Sequence, residues 1–139
     1  FLEFENKHTI LLALTSNRGA FDFQTKKVDG EEVYKKVLQT SKTWKNHHNL
    51  MYVVGATKAE YFAAIRKIIP DSFILVPGVG AQGGSVAEVC KYGLNENVGL
   101  LINSARGIIY ASSEENFADA AAEKAKELQQ EMESVLEKM

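Results

Sequence analysis

Two apolar runs, each broken off by a loop of unusual content, set the strongest constraint on what this 139-residue chain can fold into. The first is Phe73, Ile74, Leu75, Val76 and Pro77, which opens directly into Gly78, Val79, Gly80, Ala81, Gln82, Gly83, Gly84 and Ser85. The second, at 98–103, opens into Ser104, Ala105, Arg106 and Gly107. Two earlier runs behave alike: 9–15 leads into Ser16, Asn17, Arg18 and Gly19, and 50–54 into Gly55, Ala56 and Thr57. All four are short and almost wholly apolar rather than alternating. That pattern predicts burial on both faces, as in a parallel sheet covered by helices.

A helical period follows each run. Between 31 and 46, Val33, Tyr34, Val37, Leu38, Ser41 and Trp44 share one face, and Asp29-Gly30 supplies a start signal. Thr57 with Glu60 three residues on forms a capping box for a helix ending before Pro70, with Tyr61, Phe62, Ile65, Ile68 and Ile69 inward. A short helix at about 85–92 is closed by Gly93. A long one runs from about 113 to the end, with Phe117, Ala121, Leu128, Met132, Val135 and Met139 on one stripe. Four strand–loop–helix units with no linkers between them predict an α/β fold.

Sixteen basic and 18 acidic residues leave a formal charge of -2, which gives no global drive toward nucleic acid or a membrane. The single cysteine, Cys90, excludes an internal disulfide and fits a reducing cytoplasm. Its apolar helical setting predicts a buried structural thiol. No apolar stretch is long enough to span a membrane as a helix. The opening Phe1, Leu2, Glu3, Phe4 and Glu5 carries no initiator Met and no signal-peptide core, and reads as the tail of a helix cut through. The expectation is a single partial domain, residues 1–139, from a longer chain.

A strand that ends in a glycine-rich turn leaves backbone N–H groups free to face an anion. A second strand ending in Arg106-Gly107 adds a fixed positive charge with a bidentate fork. Two successive strand ends of this kind suggest one phosphate held by neighbouring loops, the arrangement of the last two βα loops in many (β/α)8 barrels. Gly78, Gly80 and Gly83 also match a dinucleotide fingerprint, but the next strand ends in Ile102, Asn103 and Ser104, without the carboxylate that would hold a ribose. A plain structural turn is the remaining alternative. Gln82 has no packing role in such a loop, so a polar contact to ligand is expected.

Arg106 reads either as an anion ligand or as a solvated loop arginine. Thr15, Ser16 and Asn17 are three polar residues at a strand end, able to read a polar ligand edge or to make local turn bonds. His8, His47 and His48 lack metal-ligand spacing and read as surface residues. Neither a nucleophile–histidine arrangement nor paired carboxylates at strand ends occur. No catalytic residue and no metal ligand is therefore assigned.

The segments at 1–4, 12–17, 75–84 and 103–108 resemble the C-terminal half of orotidine 5'-phosphate decarboxylases of the longer bacterial subgroup, in family order. The resemblance implies units five to eight of a (β/α)8 barrel. It implies an enzyme that converts orotidine monophosphate to uridine monophosphate and CO2 in pyrimidine biosynthesis, without metal or organic cofactor. By that resemblance Pro77, Gly78, Gly80, Gln82, Gly83 and Gly84 form a loop that closes on the substrate. Arg106 and Gly107 hold its phosphate, and Ser16 with Asn17 reads the pyrimidine edge. The family's Asp-x-Lys-x-x-Asp pattern is absent from this stretch. The resemblance thus implies a missing N-terminal half, a homodimer when complete, and no activity in this stretch alone. Another phosphate-sugar barrel enzyme and a non-enzymatic anion-binding module remain the alternatives.

Overall fold

The computed structural model describes residues 1–4, 6–80 and 83–139. Strand β1 (Thr9–Leu14) leads to a small hairpin, β2 (Lys27–Val28) and β3 (Glu31–Glu32), and then to helix α1 (Val33–Ser41). There follow β4 (Leu50–Val54), α2 (Ala59–Ile68), β5 (Ile74–Pro77), α3 (Val86–Gly93), β6 (Leu100–Asn103), the one-turn helix α4 (Arg106–Ile109) and α5 (Phe117–Leu136). The main sheet has four strands in the order β1-β4-β5-β6, every pair parallel. Sequential strands that neighbour in order, each crossing over through a helix, are the α/β architecture expected from the sequence.

Leu11, Tyr52, Ile74 and Leu100 lie in register across the sheet. With Leu50, Val54 and Val76 they form the face against which the helices pack. Phe62 and Ile65 of α2, Val86 and Val89 of α3, and Tyr34 and Leu38 of α1 are buried there. Leu128, Met132 and Val135 of α5 rest against the same core, while Phe117 and Met139 of the expected stripe stand exposed. Cys90 is buried as expected, and burial pushes its thiol up, with Glu131 adding to the effect.

The opposite face departs from the expectation. Ile10, Leu12 and Leu101 are 47%, 52% and 42% exposed, so this chain covers only one side of its sheet. Apolar runs that demand two-sided burial here receive half of it.

Other elements correct the sequence reading. Asp29-Gly30 is the tip of the β2–β3 hairpin, with φ of 52° and 83°, rather than a helix start; Asp-Gly with two positive φ values is a hairpin turn signature. The Thr57 hydroxyl donates to the Ser16 carbonyl at 3.3 Å, and α2 carries no side-chain cap. Helix α1 stops at Ser41, leaving Trp44 outside it and 43% exposed. Leu2 and Glu3 lie in a turn and Phe4 in a bend, not in a helix tail. Among the described residues no helix is long and apolar enough to cross a membrane.

Glycine stands at 93, the last residue of α3, because of space rather than backbone conformation. A Cβ there would stand 2.7 Å from Phe62 Cδ1 and 3.1 Å from Leu100 Cδ2. Gly93→Ala should therefore lower stability by about 1–3 kcal/mol, the usual effect of overpacking a filled core. A denaturation midpoint equal to that of the parent would show that the Phe62 ring yields without loss.

Candidate functional site

Four parallel strands point their C-terminal ends the same way, which brings the loops after β1, β4, β5 and β6 to one end of the sheet. Near the end of β1 the pairing with β4 shifts between Leu12 and Leu14, a bulge that re-aims the residues beyond it. The Thr15 N–H then donates to Gln24 Oε1 at 2.7 Å, and the Thr15 hydroxyl reaches the same oxygen at 3.2 Å. The next side-chain oxygen, Ser16 Oγ, is buried and has no hydrogen-bond partner among the described residues. A buried hydroxyl left unpaired is unfavourable by about 1–3 kcal/mol. Asn17 is exposed, and its carbonyl accepts from Ala20 N at 3.1 Å.

The β4 loop is fitted against Ser16. The Gly55 N–H donates to the Leu14 carbonyl at 2.9 Å, and a Cβ on Gly55 would run into Ser16 Oγ and lie 2.6 Å from Ser16 N. On its other side this loop meets the β5 loop, since a Cβ on Gly84 would collide with Ala56 and come within 2.9 Å of the Gly78 carbonyl. Only glycine fits at either contact.

After Pro77 the chain turns through Gly78, Gly80 and Gly83, with φ of 89°, 74° and 83°. The expectation of free N–H groups meets a difference here. Gly80 N donates to Gly84 O at 3.0 Å, Gly83 N to Gly80 O at 2.8 Å and Gly84 N to Gly78 O at 3.3 Å. These three donors close the loop on itself instead of facing outward. Gln82 lies outside the described residues.

Ser104 Oγ, just past β6, donates to the Val79 carbonyl at 3.5 Å and ties the β6 loop to the base of the glycine loop. Arg106 opens α4 with an exposed side chain, and Gly107 follows in the same turn. Pro77, Gly78 and Val79 share a cleft of about 80 Å³ with Asn103, Ser104, Ala105 and Arg106. The two strand ends singled out in the sequence thus meet in one cleft, with Arg106 among its lining residues.

Nothing in this arrangement provides a metal centre: among the described residues no three His, Cys, Asp or Glu side chains are grouped to hold one. His8 and His48 lie at the N-terminal ends of the strands, where they line a cleft with Met51, Asp71 and Phe73. Sequence reading missed Gln24, read Gly55 only as a turn residue and gave Thr57 to a helix cap; Gly55, directly after an apolar run, had the clearest signal of the three.

A parallel sheet of four βα units, with its polar cleft at the strands' C-terminal ends, is half of a (β/α)8 barrel of the kind that holds its ligand there. No family model matches the chain. It is 70% identical over 137 residues to the orotidine 5'-phosphate decarboxylase of Flavobacterium johnsoniae, covering 99% of this chain and 50% of that protein. The enzyme of the same name from Phocaeicola vulgatus is 55% identical over 137 residues, again across 98% and 50%. Among solved structures, the OMP decarboxylase of Leishmania donovani superposes with a TM-score of 0.79 at 31% identity, over 97% of this chain and 50% of that one. The chain is a relative of the orotidine 5'-phosphate decarboxylases, and it spans about half the length of the curated relatives it matches.

Proposed function

We propose that this chain is the phosphate- and pyrimidine-gripping half, units five to eight, of an orotidine 5'-phosphate decarboxylase. The observation that carries the reading is the meeting of Pro77–Val79 with Asn103–Arg106 in one cleft, at the sheet end where Ser16 holds an unpartnered buried hydroxyl. One cation and one neutral hydroxyl at separate strand ends suit a ligand with an anionic group at one point and a polar ring edge at another. A nucleoside monophosphate has that form.

On this reading Arg106 and the start of α4 at Gly107 take the phosphate, with a charge-assisted bond at the positive end of a helical turn. Ser16, with Asn17 beside it, reads the pyrimidine. The loop at 78–84 gives up its internal hydrogen bonds to close over the substrate, and Gln82 reaches from phosphate toward base. The leaving CO2 departs from C6 of the ring, and a lysine outside this stretch protonates that carbon. Binding energy gathered at the remote phosphate then serves the transition state rather than the ground state alone. The uncovered apolar face takes the other half of the barrel. The complete protein works as a cytoplasmic homodimer, without cofactor.

Arg106→Ala in the complete protein should weaken uridine monophosphate about ten- to a hundred-fold, the worth of one charge-assisted contact at roughly 1.5–3 kcal/mol. Uridine, which lacks the phosphate, should bind as before. Equal losses for both ligands in calorimetric titrations would make Arg106 structural and leave the cleft without its assigned role.

A further inference from the structure

We propose that Gln24 is a positioning residue that aims the Ser16 hydroxyl at the ligand; the inference rests on the reading of Ser16 as the group that meets the pyrimidine. Gln24 touches no part of the cleft lined by Arg106. Its side chain instead captures both polar groups of Thr15, the residue before Ser16, at 2.7 and 3.2 Å. The orientation of the amide is fixed by its partner. A backbone N–H can only donate, so the carbonyl oxygen must face Thr15.

Gln24 is in turn anchored to the core. Its own carbonyl accepts from Tyr34 N at 2.9 Å, and Tyr34 is 1% exposed at the start of α1. Next to it, Thr25 N donates to the carbonyl of the fully buried Ala20 at 3.1 Å. A rigid path therefore runs from α1 through Gln24 to Thr15. From the opposite side, Thr57 Oγ1 donates to the Ser16 carbonyl and Gly55 N to the Leu14 carbonyl. The backbone around Ser16 is held on both flanks, while Ser16 Oγ has no partner among the described residues. Holding an unsatisfied donor in place before the ligand arrives is preorganisation: the ordering is completed in the free protein and does not weaken binding.

The test compares uridine monophosphate with ribose 5-phosphate on the complete protein, since only the first carries a base. Gln24→Met removes the acceptor at near-constant length and should weaken uridine monophosphate about tenfold, the effect of losing one well-placed hydrogen bond. Ribose 5-phosphate should be held as before. Gln24→Glu keeps an oxygen facing Thr15 and should restore most of the loss. Ser16→Ala should show the same base-selective loss, and adding Gln24→Met to it should lower affinity no further, because the two substitutions remove one interaction. Thr57→Val, which loosens the other flank without touching Gln24, should also be base-selective.

Equal weakening of both ligands by Gln24→Met, no recovery with Gln24→Glu, or additive losses with Ser16→Ala would each overturn the positioning role. Ser16→Ala with unchanged affinity for uridine monophosphate would instead remove the base-reading assignment itself, and this inference with it.

Discussion

Arg66→Met should be among the most damaging single substitutions in this chain, lowering stability by about 3–5 kcal/mol through two or three carbonyls left without a donor, at about 1–3 kcal/mol each. Among the described residues no carboxylate is bonded to the guanidinium. It donates from Nε to Gly93 O at 2.6 Å, from Nη1 to Ser72 O at 2.6 Å and Ile69 O at 3.2 Å, and from Nη2 to Gly99 O at 2.8 Å. One side chain thereby fastens the end of α2, the end of α3, the approach to β5 and the start of β6. Burial pulls its pKa down to about 10, with Asp71 pulling the other way, so it stays charged at neutral pH. A folded pKa below the ordinary arginine value means that the unfolded state binds more protons only above about pH 10. Stability should rise there and show no Arg66-dependent slope between pH 5 and 9. Arg66→Lys should recover only part of the loss, because one ammonium cannot reach carbonyls on separate segments. Urea unfolding of the three proteins checks this; a midpoint for Arg66→Met close to that of the parent would show that water satisfies those carbonyls.

The 139-residue stretch expressed by itself should turn over no orotidine monophosphate. Protonating the reacting carbon needs an acid within hydrogen-bond reach, and the residues that line the cleft supply only hydroxyl, amide and guanidinium groups. It should also self-associate, because Ile10, Leu12, Phe73 and Leu101 are exposed on one sheet face and β1 and β6 each have an unpaired edge. Following the loss of substrate absorbance with rigorously purified chain, beside a sedimentation profile, measures both. Turnover proportional to the concentration of this chain would mean that the reacting groups lie within it.

The four strands and the two loops after β5 and β6 were legible because long apolar runs and glycine clusters act locally. Ser85 also caps α3 through the N–H of Glu88 at 3.3 Å, a local bond of the kind sequence can announce. The β2–β3 hairpin was not legible, since strands of two residues have no period to detect. Thr57 misled for a different reason. Its spacing to Glu60 satisfied a helix-start rule, yet its hydroxyl turned to Ser16, 41 residues away, where a tertiary acceptor won over the local one. Gln24 and Arg66 carried no signal at all, because what each does depends on which backbone groups folding brings within reach.

The fastening by Arg66 lies where the strands begin, and the loops proposed to take the ligand lie where they end. Variation can therefore act on one without disturbing the other. A lineage could reshape the residues around Ser16 and Arg106, and so change which phosphorylated molecule is welcomed, while inheriting an undisturbed foundation at the far end. The reverse does not hold. A substitution at Arg66 would shift the origin of both β5 and β6, so its influence would appear as lost register in the loops after those two strands.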